Sequence, residues 1–176
     1  MAVPFFVSSP RYGGIMITAE NVVGLVVGEG CFYVESCPDS RYRLGWRIRP
    51  AFCIEMRAEE EGVLEVVRDL LGCGSVYHLD FGRYSGYEKR GWLPHVKYRV
   101  TRRRDLDQRV VPFFRQYPLF GRKAVAFEHF AKLVEILTAG LHRTPKGLDL
   151  AKEVADRLRE HNRRGLLLGE RTGTKT

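Results

Sequence analysis

The chain has 176 residues, enough for one domain or a domain with an appendage and enough to bury a sizeable core without disulfides. Its 29 Lys plus Arg against 21 Asp plus Glu give a formal net charge of +8, which favours a polyanionic partner, either nucleic acid or an acidic membrane surface. No apolar run approaches the roughly 18 residues of a membrane span, no basic helix carries an aromatic face, and the N-terminus lacks the basic region of a signal peptide. Nucleic acid is therefore the expected partner, with no membrane.

Residues 1–17 read as an irregular arm. Thr18 has the chemistry of an N-cap, and the run VVGLVVGEG over Val22–Gly30 continues a helix predicted at Thr18–Gly28. Its apolar residues hardly alternate, so the helix is expected to be buried on most sides. Gly24 and Gly28 lie four apart on one face and leave room for a second helix, which in soluble proteins is usually ordinary close packing. Glu29, between two glycines, meets the negative end of the helix macrodipole. A cation would compensate it, and a divalent metal is the strongest local candidate.

The period then changes to two. Cys31–Ser36 is a predicted strand, and Leu44–Met56 a second, with Ile48, Phe52 and Ile54 on one face and Arg47, Arg49, Cys53 and Glu55 on the other. Pro50 marks an edge position or a bulge. Helix two spans Glu59–Leu71, with an apolar stripe of Val63, Val66, Val67, Leu70 and Leu71, and Gly72 stops it. Strand three is predicted near Ser75–Phe81, followed by the hairpin tip GRYSGYEKRGW. Strand four, near His95–Thr101, turns Val96, Tyr98 and Val100 inward and Lys97, Arg99 and Thr101 outward. A short helix near Leu106–Phe114, a break at Tyr117–Pro118, a helix near Arg122–Leu137 and an amphipathic helix at Gly147–His161 complete the order. The tail after Arg164 is expected to fray.

The outward residues Tyr33, Glu35, Arg47, Arg49, Tyr77, Lys97, Arg99 and Thr101 make a basic or polar face opposite an apolar one. Each alone fits an ordinary solvated strand position; together they suit base and phosphate contacts. The arginine run Arg102–Arg104 and the loop Arg83–Arg90 suit phosphates. Cys31, Cys37, Cys53 and Cys73 form no CxxC pair and lack a histidine at zinc-ligand spacing, so they read as structural thiols of a reducing compartment. Of the 29 basic residues 22 are Arg, and Asn and Gln occur twice each. That composition points to a prokaryotic, archaeal source more than an organellar one, with a cytoplasmic or nucleoid-associated protein.

The glycine-faced helix, its terminal acidic residue and the strand after it resemble the LAGLIDADG homing endonucleases. Val22, Val23, Gly24, Leu25, Val26, Val27, Gly28, Glu29 and Gly30 fill the nine motif positions in order. PAF at Pro50–Phe52, LGCG at Leu71–Gly74 and YPLFGRK at Tyr117–Lys123 follow in family order, so the resemblance covers about residues 18–137. It implies an α+β fold, an αββαββα domain with a saddle-shaped antiparallel sheet and extra C-terminal helices. Residues 1–17 form the arm, 18–140 the domain, and 141–176 a helix and tail packed on or extending it.

The same resemblance implies an intron-encoded, site-specific endonuclease that makes double-strand breaks at a long pseudo-palindromic target and promotes intron homing. Glu29 and the Gly28 carbonyl would hold Mg²⁺, with Ca²⁺ or Mn²⁺ able to replace it in binding. Lys123 would stabilise the developing oxyanion, although its bare reading is a solvated residue at a helix start. Because the motif occurs once, a homodimer is implied, with Gly24, Val27 and Gly28 in its interface and double-stranded DNA as substrate. Two positions depart from the pattern. Val27 replaces an often acidic residue, and Met56 stands where many members carry a glutamine that helps place water. An RNA-binding intron maturase, or a DNA-binding regulator that keeps the fold without cutting, is the alternative.

Overall fold

The computed structural model describes residues 11–79 and 93–172, with backbone only for 11, 15 and 166–172. The predicted hairpin tip, with Arg83–Arg90, and the last residues of predicted strand three lie outside the described residues. The arm is not wholly irregular. Strands β1 (Arg11–Tyr12) and β2 (Ile15–Met16) pair through a Gly13–Gly14 turn with φ of 57° and 85°. Only glycine adopts two consecutive positive φ angles without steric cost, which makes so short a hairpin possible. The Tyr12 ring then lies over Gly62, where an added Cβ would meet it at 2.5 Å.

Helix α1 spans Ala19–Glu29. Its start is fixed twice over. The Asn21 amide N–H donates to Thr18 Oγ1 at 3.3 Å, and the Thr18 N–H donates to Asn21 Oδ1 at 2.9 Å, a reciprocal cap made by an asparagine. Val22, Val23 and Val26 face the core. The expectation of burial on most sides is corrected: Gly24 and Gly28 are exposed, and Leu25 and Val27 are half-buried. The chain on its own covers one face of α1 and leaves the glycine face bare.

Strands β3 (Gly30–Pro38) and β4 (Trp46–Arg57) form a long antiparallel pair, joined by a turn in which Asp39 holds Arg41. After a 3₁₀ turn, α2 (Glu61–Leu71) buries Leu64, Val66, Val67 and Leu71. Leu64 is fully buried and belongs to the stripe, whereas Val63 and Leu70 are only half-buried. Strands β5 (Ser75–Leu79) and β6 (His95–Val100) complete a four-stranded antiparallel sheet in the order β3-β4-β6-β5. The register pairs β6 with β4 only from Phe52 to Arg57. Residues Trp46–Ala51 thus have a ladder partner on the β3 side alone, and Pro50, which has no N–H to give, falls in that half.

The chain next runs through α3 (Arg103–Asp105), a π turn at Leu106–Val110 and α4 (Val111–Gln116), longer at both ends than the predicted Leu106–Phe114. Helix α5 (Gly121–Thr138) follows the Tyr117–Pro118 break. These helices cover the inner face of the sheet. Phe32 is the hub of the core, with ring centroids 5.0 Å from Phe52, 5.0 Å from Phe130 and 5.6 Å from Phe114.

Helix α6 runs from Pro145 to Thr172, well past the predicted His161, and residues 165–172 of the tail expected to fray continue the helix. Ala151, Ala155 and Leu158 are buried against the rest of the molecule. Farther along, Arg159 donates to the Ser36 carbonyl at 3.0 Å and Asn162 to the Phe32 carbonyl at 2.8 Å. Helix α6 therefore caps the carbonyls of β3, the edge strand of the sheet. The predicted end at His161 falls between these two contacts with β3 backbone, which amphipathic periodicity does not report.

Candidate nucleic-acid interface and catalytic end

The outward residues form rows set by strand register. Tyr77, Lys97 and Glu55 stand abreast on β5, β6 and β4, and Ser75, Arg99, Cys53 and Cys31 form the next row. Glu35 pairs with Arg49 in register, and Cys37 with Arg47. All eight predicted contact residues therefore share one parity, with Thr101 just beyond the end of β6. Inward neighbours such as Phe52, Ile54, Val96 and Tyr98 are fully buried.

The basic groups are held rather than loose. Arg99 Nη2 lies 3.3 Å from Glu35 Oε1, and its guanidinium stands over the Tyr33 ring at 5.6 Å. Lys97 Nζ lies 2.8 Å from Glu55 Oε2, and His95 Nδ1 is 3.2 Å from the other oxygen of the same carboxylate. Burial pushes the Glu55 carboxyl up, but the hydrogen bond and charge of Lys97, with His95 added, hold it below its ordinary range. Arg47 Nε is 3.7 Å from Asp39, and Arg41 holds Asp39 down to about 2. Arg49 is exposed, with its guanidinium 3.5 Å from the Tyr42 hydroxyl.

The predicted catalytic end lies where α1 joins β3. Glu29 is the last residue of the helix, exposed, with no basic residue in the final turn to offset the dipole. It lines a 510 Å³ cleft with Glu55, Met56, Arg57, Glu60 and His95. Lys123 occupies the other side of the junction. It is half-buried, its ammonium donates to the Gly30 carbonyl, and it lines a second cleft of 440 Å³ with Gly28, Gly30, Cys31, Arg122 and Asn162 among others. Lys123 is thus not simply a solvated helix-start residue: it ties α5 to the α1–β3 joint. The two predicted catalytic residues flank that joint and line separate clefts. Gly30 permits this tight joint, since an added Cβ would meet Val26 Cγ1 at 2.6 Å and the Val26 carbonyl oxygen at 2.8 Å.

Met56 shares the inward parity of Phe52 and Ile54 and packs against the core at the edge of the Glu29 cleft, and the polar groups that β4 brings to that cleft are Glu55 and Arg57. Two other features escaped the sequence reading. Cys31 and Cys53 are direct cross-strand neighbours. A hydrogen bond from the Cys53 thiol, with the charges of Lys123 and Lys97, outweighs burial and lowers the Cys31 thiol to about 7, and Cys53 is pushed up in return. Arg159 and Asn162, which the sequence reading did not single out, both reach the sheet. Period-two parity put Cys53 on the outward face but could not set Cys31 opposite it, because register depends on the length of the intervening turn.

The donor set can be compared with a divalent cation. At the end of a helix the last carbonyls have no intrahelical partner, and the Gly28 carbonyl is one of these. With the Glu29 carboxylate the chain offers oxygen ligands of the kind a hard cation takes. Among the described residues no group of three or more His, Cys, Asp or Glu could hold a metal. The residues fit a partial shell that other oxygens must complete.

Architecture and site together define a homing-endonuclease fold. The solved homing endonuclease I-TnaI is similar over 84% of this chain and 97% of its own, with a TM-score of 0.68 and 28% identity. The LAGLIDADG homing endonuclease I-LtrWI bound to target DNA shares the fold, with a TM-score of 0.72 and 24% identity over 86% of this chain and 47% of its own. The sequence profile of the LAGLIDADG endonuclease family matches residues 22–134, and the chain belongs to that family. Probable intron-encoded endonuclease 2 of Neurospora crassa is 24% identical over 127 residues, 72% of this chain and 26% of the relative. Probable intron-encoded endonuclease 3 of the same fungus is 25% identical over 128 residues, 73% of this chain and 22% of the relative. The chain thus spans about a quarter of the length of these curated relatives. Their fungal source does not fit the archaeal origin expected from the arginine-rich composition. No helix among the described residues is long and apolar enough to cross a membrane.

Proposed function

We propose that the protein is a site-specific, metal-dependent DNA endonuclease that works as a homodimer and cuts both strands of a long pseudo-palindromic target, promoting the homing of an intron that encodes it. The observation that carries this reading is the bare face of α1. Gly24 and Gly28 are exposed, nothing lies within 4 Å of a Cβ added at either, and the face ends at Glu29. A second copy laid on that face, with Val27 at its border, brings two Glu29 carboxylates together. Family membership, the intron-encoded relatives and the solved relatives described with bound DNA support the substrate.

Glu29 and the Gly28 carbonyl would hold the cation, and we assign Mg²⁺, with Ca²⁺ or Mn²⁺ able to replace it in binding. A solved structure of I-SmaMI is described as bound to its uncleaved DNA target in the presence of calcium ions. When bound, such an ion neutralises phosphate charge and lowers the pKa of its water. The outward rows of the sheet read base edges in the major groove, and their Arg and Lys side chains also meet phosphates. Lys123 places positive charge at the joint, where charge develops on the scissile phosphate, and releases the Gly30 carbonyl when the phosphate arrives.

The test is Glu29→Gln with a randomised target library in Mg²⁺ and in Ca²⁺. The expected result is selection of the same sites, with cleavage lost in the variant and Ca²⁺ supporting binding without turnover. Cleavage by the variant at the wild-type rate removes Glu29 from catalysis. A wild-type protein that selects sites, or binds structured intron RNA, and never cuts is instead a maturase or regulator on the same fold.

A further inference from the structure

The thiol pair at Cys31 and Cys53 is not used by the proposed chemistry. The two residues face each other directly in the β3–β4 register. Opposed residues in an antiparallel pair have Cα atoms about 4.5–5.5 Å apart, inside the about 4.4–6.8 Å window of a disulfide. Their exposures differ in a useful way. Cys31 is partly exposed and lines the 440 Å³ cleft beside Lys123 and Asn162, whereas Cys53 is 6% exposed. The remaining cysteines are placed otherwise. Cys37 pairs in register with Arg47, whose guanidinium lies 3.4 Å from its sulfur, and Cys73 lies 3.9 Å from the Tyr98 hydroxyl.

We propose that Cys31 and Cys53 form a peroxide-oxidisable dithiol, a reversible redox modification site on the outward face of the sheet next to the end of α1. Cys31, open to the cleft, attacks hydrogen peroxide. The O–O bond breaks, an S–O bond forms, and one water leaves with the thiol proton, giving a sulfenic acid. The Cys53 sulfur then displaces the hydroxyl group from Cys31, an S–S bond forms, and a second water leaves with the second thiol proton. Two thiols are oxidised by one peroxide, which is reduced to two waters. The product staples β3 to β4 beside Gly30, and dithiothreitol reverses it.

The test treats the whole purified chain with hydrogen peroxide, without DNA, and reads intact mass and cross-linked peptides. It does not depend on cleavage, so it stands or falls separately from the endonuclease reading. The expected result is the loss of two hydrogens, a peptide joining Cys31 to Cys53, and Cys37 and Cys73 still open to alkylation. Cys53→Ser should stop at a sulfenic acid on Cys31 that dimedone traps, and Cys31→Ser should give neither product. If a serine variant fails to fold, differential alkylation of the wild type alone decides. The proposal is overturned if both thiols remain alkylatable after peroxide, or if the cross-link joins Cys37 or Cys73 instead.

Discussion

At the scale of single residues, Glu55 is the most informative group. Its carboxyl is held below the ordinary range by Lys97 and His95 against the opposing effect of burial, and Lys97 is raised against its own burial, chiefly by the hydrogen bond to Glu55. A depressed acid binds fewer protons when folded than when unfolded, so its stabilisation is present above its unfolded pKa and lost as pH falls through the folded value. Melting temperature should therefore drop more steeply in wild type than in Glu55→Gln as pH falls below the carboxylate range, and equal slopes would deny the pair a net role. Gly30 gives a contrasting case. Its φ of −73° suits any residue, yet Gly30→Ala would drive a Cβ into Val26. We expect a cost of about 1–3 kcal/mol in denaturant unfolding from that overpacking. Strand parity made the outward set legible, because alternation alone decides which face a residue takes. The tie from Lys123 to Gly30 was not legible, since it joins residues 93 positions apart.

At the scale of elements, α1 separates two kinds of glycine. Gly24→Leu meets open space in a single copy and should leave the melting of the monomer nearly unchanged. In the proposed dimer it adds bulk between two backbones, at about 1–3 kcal/mol from each chain. Sedimentation should give about twice the 20.2 kDa mass for wild type and a shift toward monomer for the variant, with cutting lost. A monomeric wild type that still cuts both strands would refute the shared helix face. Helix α6 gives the complementary result. Asn162→Ala removes the cap on the Phe32 carbonyl, with an expected loss of about 0.5–1.5 kcal/mol by chemical denaturation. Element order and type were readable because each period, 3.6 or 2, is carried by the residues themselves. The ends of α6 and of the α3–α4 run were not, because contacts with distant backbone settle them.

For the whole molecule, strand geometry sets how much DNA one copy of the proposed endonuclease would cover. From Glu55 to Arg47 the outward residues of β4 span eight positions, about 26 Å at about 3.3 Å per residue. Base pairs rise about 3.4 Å each, so one sheet spans about eight base pairs and two copies about sixteen. Footprinting should return a protected length of that order, and a target half as long should bind one copy without being cut. Arg49→Ala should relax discrimination at one base pair in each half-site by about 1–3 kcal/mol, whereas a uniform loss across sequences would mark Arg49 as a phosphate contact.

In the proposed dimer the bare face of α1 would also govern dose. A reactive centre divided between two chains exists only when two chains have met. Below the dissociation constant of the pair, cutting rises with the square of the amount of protein, while above it the dependence becomes linear. A cell holding a few copies would thus be nearly free of breaks, and a burst of synthesis would switch cutting on abruptly. Two glycines with nothing opposite them would in this way act as a threshold on expression.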